Sequence, residues 1–171
     1  CAGEVMYQGT DMRTGSALEI YRSGVGRCGE EAVFVVNVMR SAGIPARPVY
    51  VPRWSHCDDN HAWVEVWCDG DWHYLGACEP EAVLDKGWFT NAASRAMMIG
   101  SRWYDRAMPD EKVIGKDGMN RIINLLGKYA KTRWITITVE DLDGTPAAGA
   151  KVRAEVMNYG ERNRQADSFV G

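Results

Sequence analysis

Three kinds of side chain in this sequence can carry out covalent chemistry together: a thiol, an imidazole and a carboxylate. A cysteine attacks an acyl carbon as its thiolate, and with an ordinary pKa of about 8.5 only a few per cent of a thiol is ionised at neutral pH. Such a thiol needs a base within hydrogen-bond reach and a third group that orients the base. Cys28 follows the loop Gly24-Val25-Gly26-Arg27 and opens an apolar-periodic segment, so its sulfur is expected at a helix N-terminus, where the helix dipole favours the thiolate. The competing reading is a small core residue at the helix start, since unpaired cysteine is among the most buried residue types. Of the three histidines, His56 is expected in a loop and His73 inside a strand. Position favours His61, which opens a strand, as the base.

The elements that would place these groups are readable from periodicity. Cys28, Ala32, Val35 and Met39 recur at helical steps, and Gly43 ends that helix. Ile44-Pro45-Ala46-Arg47-Pro48-Val49-Tyr50-Val51 is extended by its prolines and β-formers and is expected to be an edge-type strand. After a polar loop from Ser55 to Asn60, His61–Trp67 and Asp71–Leu75 flank Asp69-Gly70, a strong hairpin signal. Alternation puts His61, Trp63, Glu65 and Trp67 on one face and Ala62, Val64 and Val66 on the other, which is the expected core face. Helix, strand and hairpin in this order predict an α+β layer, one helix packed on an antiparallel sheet. A loop is expected around Gly9–Gly15 and a short helix around Ala17–Tyr21. Residues 81–132 are mixed and partly helical, with no assigned chemistry. Trp134–Val139 and Ala150–Val156 are expected strands around the turn Asp143-Gly144-Thr145-Pro146, so a second, partial β unit is expected over 133–171, after a first domain over 1–132.

Composition narrows the function classes. With 46% hydrophobic and 25% charged residues in 171, the chain can bury a sizeable core. A net charge of -3 provides no basic surplus for phosphates, so nucleic acid is not an expected partner. No apolar run approaches the roughly 20 residues of a membrane span. Five irregularly spaced cysteines without a Cys-x-x-Cys pair point to at least one reduced thiol and to neither a structural metal nor a cofactor. The chain opens at Cys1 without an initiator Met or a leader pattern and reads as a segment of a longer protein.

Four blocks in order, Gly26-Arg27-Cys28-Gly29-Glu30, Ser41-Ala42-Gly43-Ile44-Pro45-Ala46-Arg47, Asn60-His61-Ala62-Trp63-Val64-Glu65-Val66 and Gly70-Asp71-Trp72, resemble the transglutaminase-like core over about residues 24–88. The resemblance implies a papain-like α+β fold, a Cys-His-Asp triad and thiol acyl transfer from amides, with Cys28 as nucleophile and His61 as base. Trp72-His73-Tyr74-Leu75-Gly76-Ala77-Cys78-Glu79 is most similar to the peptide N-glycanase block, but Gly76 stands where that family places its aspartate. Glu79 is the expected replacement, reaching His61 across a bend at Gly76, with Asp58 and Asp59 as further candidates.

The oxyanion donors would be the backbone N–H of Cys28 and a side chain among Trp54, Tyr50 and Asn60. Trp54, Trp63 and Asn60 are the expected substrate contacts, with Trp67 and Trp88 as further aromatic walls. Asp141–Val152 resembles the opening of carboxypeptidase-regulatory-like or transthyretin-like β domains, which implies an extracytoplasmic, bacterial setting. The leading expectation is a thiol hydrolase of peptide, protein or glycopeptide amides. A glycanase-like amidase, a transamidase and a catalytically inactive binding module are the alternatives.

Overall fold

A computed structural model describes residues 3–9, 15–104, 112–158 and 160–169, with backbone alone at 117 and 161–169. Cys1 and most of the loop expected at 9–15 lie outside the described residues. In chain order the elements are β1 (Met6–Tyr7), α1 (Ala17–Ser23), β2 (Val25–Gly26), α2 (Cys28–Ser41), β3 (Ala46–Val51), β4 (His61–Cys68), β5 (Asp71–Leu75), α3 (Thr90–Ala93), β6 (Gly100–Trp103), β7 (Val113–Asp117), β8 (Asn120–Asn124), α4 (Leu126–Tyr129), β9 (Lys151–Asn158) and β10 (Glu161–Phe169). The fold is α+β: a six-stranded antiparallel sheet in the order β5-β4-β3-β6-β8-β7, with α2 packed on one face.

Local chemistry explains why α2 starts and stops where it does. The Arg27 amide donates to Glu30 Oε2 at 2.9 Å, so the glutamate reaches back over the first turn and satisfies a donor there. At the other end Gly43 takes φ +79°, a conformation costly for any residue with a Cβ. The Gly43 and Ile44 amides then close on the carbonyls of Arg40 and Met39. Ala32, Val35 and Val36 meet Ala46, Val64 and Val66 in the first core.

The hairpin β4–β5 forms at Asp69-Gly70, both at positive φ as a two-residue turn requires. Two expectations need correction. The strand over Ile44–Val51 is central, paired with β4 on one side and β6 on the other. Its Pro48 is tolerated because β6 pairs only with Val49 and Tyr50, while the Ser101 hydroxyl donates to the Pro48 carbonyl at 2.6 Å. Both faces of β4 are buried, since Val49, Trp63, Phe89, Ile99, Ile123 and Leu125 build a second core on the face away from α2. Residues 81–104 and 112–132 therefore supply three strands of the sheet, β6, β7 and β8, and much of its second core.

Past α4, the β run expected at 134–139 forms no strand among the described residues, and Trp134, Ile135 and Ile137 are exposed. β9 pairs with β10 alone. One buried residue of β9, Asn158, reaches back to the first hundred residues: its Nδ2 donates to the carbonyls of Trp54 at 3.0 Å and Cys57 at 2.7 Å.

Candidate active site

Cys28 occupies the first position of α2, with its side chain partly buried. The amides of Ala62 and Gly29 both donate toward its sulfur. Ala62 follows His61 in β4, so helix start and strand start converge on the thiol. Burial pushes the Cys28 thiol above its ordinary range, Glu31 and Asp59 add to the rise, and the two amides offset only part of it. The resting group is a protonated thiol.

His61 is packed among aromatic rings. Its ring centroid lies 4.6 Å from Trp88, 4.9 Å from Phe89 and 5.9 Å from Trp63. Burial lowers the imidazole pKa to about 4, against a smaller opposing pull from Asp59, so His61 is neutral at pH 7. No hydrogen bond to the imidazole, from Cys28 or from any carboxylate, occurs among the described residues. The ring's bed is a chain of directed contacts. Trp63 stacks on Phe89 at 4.7 Å and donates its Nε1–H to the Tyr129 hydroxyl at 2.9 Å. Tyr129 donates to Glu65 Oε1 at 2.6 Å, and Glu65 Oε2 accepts from Arg47 Nε at 2.6 Å. Arg47 and Glu65 sit directly opposite each other in β3 and β4, and the guanidinium lies 4.0 Å over Trp72. The second and third sequence blocks are thus joined by a buried ion pair.

The expected carboxylates are placed unequally. Asp59 is exposed, and its charge is felt by both Cys28 and His61. Asp58 is exposed beside it. Glu79 is exposed too, but the groups that feel its charge are Glu31 and Cys78. The bend expected at Gly76 lies just after it, at residues 77–79, and folds back closely: a Cβ on Gly76 would lie 2.6 Å from the Glu79 carbonyl oxygen. Even alanine is too large there without a shift.

Among the expected substrate contacts, Asn60 is exposed immediately before β4. Trp54 and Trp63 are 3% and 0% exposed and stiffen the site from behind. The aromatic surface open to solvent beside His61 is Trp88, 64% exposed. Tyr50 is turned to Arg102. The other histidines are engaged elsewhere: His56 lies against Trp54, and His73 Nδ1 meets Asp85 Oδ2 at 2.6 Å in a cleft of about 490 Å³ between β5 and α4 that is lined by neither Cys28 nor His61. Cys28, Cys57, Cys68 and Cys78 are all unbridged, and no group of acidic, His and Cys side chains suited to a metal occurs among the described residues. No described helix is long and apolar enough to cross a membrane.

Phe89, Tyr129 and Glu31 were not legible as site neighbours. The first two come from the stretch with no chemical signature, and Glu31 reads in sequence as an ordinary helical surface glutamate.

Residues 1–77 match the family model of the transglutaminase-like superfamily. No curated protein matches the chain. A solved structure of a candidate cysteine protease from Cytophaga hutchinsonii is similar at 18% identity and a TM-score of 0.41, over 72% of this chain and 48% of that one. The chain thus spans about half the length of that protein. The family match takes in Cys28, His61 and Gly76 and stops before Glu79, so over its first 77 residues the chain is similar to the transglutaminase-like superfamily.

Proposed function

We propose that this protein is a thiol hydrolase of peptide or related amide bonds, with Cys28 as nucleophile and His61 as general base. The observation that carries the reading is the Cys28 sulfur at the first residue of α2, approached by the amide of the residue after His61. The similarity of residues 1–77 to the transglutaminase-like superfamily supports it at the level of reaction class.

In this mechanism thiol and imidazole are both uncharged at rest. Sγ gives its proton to His61 as it attacks the substrate carbonyl, and the backbone N–H of Cys28 faces the developing oxyanion. The imidazolium then protonates the departing amine, and water, deprotonated by His61, releases the acyl group from sulfur. Asp59 stabilises the imidazolium through its charge, and the aromatic packing of Trp88 and Phe89 fixes the ring plane. Trp88 offers its open face to the substrate. The third catalytic group is assigned between Asp59 and Glu79 by kinetics: the variant among Asp59→Asn and Glu79→Gln that lowers kcat with KM held marks the orienter.

The test is turnover of a panel of fluorogenic peptide and glycopeptide amides, with mass spectrometry of acid-quenched enzyme. A thioester on Cys28 and loss of turnover in Cys28→Ala are expected. Full turnover in Cys28→Ala would overturn the assignment. A second reading, a binding module without turnover, is favoured by the lack of a hydrogen-bonded orienter at His61. Substrate binding by calorimetry with no thioester in any condition would select it.

A further inference from the structure

We infer that Glu31 is a positioning residue for the nucleophile: its carboxyl controls how readily Cys28 surrenders its proton. The inference rests on the reading of Cys28 as nucleophile. Glu31 lies three residues after Cys28, one turn along the same side of α2. It is 4% exposed, although most glutamates stay in solvent, and its Oε1 has no hydrogen-bond partner among the described residues. An orphaned buried carboxyl is costly unless it stays neutral or meets a cation. No cation faces it. On α2 its charge is felt by Cys28, while the neighbouring Glu30 is turned to Arg27. Its charge is felt by Cys78 in the bend after β5, and Glu79 from the same bend acts on it. Asp59 faces Cys28 from the other side, before β4.

A buried carboxyl with an unpartnered oxygen and a second carboxylate acting on it retains its proton well above the ordinary range. Burial first and Glu79 second hold Glu31 up to about 7. Once ionised, it opposes a second negative charge on Cys28. The two groups therefore titrate as a coupled pair, and each proton lost makes the other harder to remove. A purely structural glutamate at this position would alter melting temperature without moving the ionisation of the thiol.

The experiment measures iodoacetamide labelling of Cys28 from pH 5 to 10, resolved by mass spectrometry, in the parent and in Glu31→Gln. Gln keeps the shape of the protonated acid. The Cys28 profile should move to lower pH by half a unit to one unit, about three- to tenfold faster labelling on its rising limb, with exposed Cys57 unchanged. Glu31→Met, which keeps the volume without the polar atoms, should move it in the same direction. Profiles that coincide within about twofold would overturn the inference. A variant-free check is the carbon-13 titration of the Glu31 carboxyl in the parent protein, where a midpoint near 4.5 would overturn it equally. Failure of the nucleophile reading appears elsewhere, as turnover that survives Cys28→Ala.

Discussion

Arg47→Met should be among the most damaging single changes available to this fold. Arg47 Nε is 2.6 Å from Glu65 Oε2 with both side chains buried. Removing the guanidinium leaves a buried carboxylate supported only by the Tyr129 hydroxyl, and breaking such a pair costs about 3–5 kcal/mol. Loss of the stacking on Trp72 adds roughly 1 kcal/mol. For a protein of this size about 4 kcal/mol lowers Tm by roughly 8–16 °C. The assay is equilibrium unfolding in urea followed by tryptophan fluorescence, with Arg47→Met, Glu65→Leu and the double variant in one cycle. Replacing both partners by apolar groups should restore most of the loss, so the coupling energy should exceed about 2 kcal/mol. A single-variant loss below about 1 kcal/mol, or a double variant as unstable as the sum of the singles, would refute the argument that the pair is a closed buried unit.

Three further outcomes are expected. Trp88→Ala should let water reach His61 and raise its pKa from about 4 toward the ordinary 6.5, readable by proton NMR of the ring; an unchanged midpoint would show that Trp88 does not contribute to the burial. Because Glu31 binds its proton more tightly folded than unfolded, stability should fall as pH rises from about 4.5 to about 7 and then level off, and Glu31→Gln should remove that slope in thermal melts. Gly76→Ala should destabilise by about 1–3 kcal/mol through overpacking, and Gly76→Asp should do no better, so an aspartate there should not raise turnover.

The local rules were legible wherever one residue type decided the outcome. The helical spacing from Cys28 to Met39, the stop at Gly43 and the turn at Asp69-Gly70 each follow from backbone sterics or periodicity. Tertiary partners were not. Pro48 reads as an edge residue because proline lacks a donor, yet β3 is central: β6 pairs only with Val49 and Tyr50, and the Ser101 hydroxyl, 53 residues away, donates to the Pro48 carbonyl. Trp63 and Glu65 alternate like a solvent face, and only the docking of Phe89 and Tyr129 converts that face to core. At the site, the places of Cys28 at the start of α2 and of His61 at the start of β4 were legible from helical spacing and strand alternation. The surroundings of His61 were not, since a wall of ordinary aromatic residues has no spacing signature.

The bonds from Asn158 to Trp54 and Cys57 have a consequence for the order in which the protein is made. They hold the loop that runs into His61, and their partners are 104 and 101 residues apart in sequence. At about 5–20 residues per second, a ribosome delivers Asn158 some 5–20 s after Cys57. For most of that interval the residues of α2 and of the β4–β5 hairpin have been synthesised, while the loop before His61 lacks its bonds to Asn158. The nascent chain therefore carries the thiol and the base before the bonds that tie down the loop between them can form.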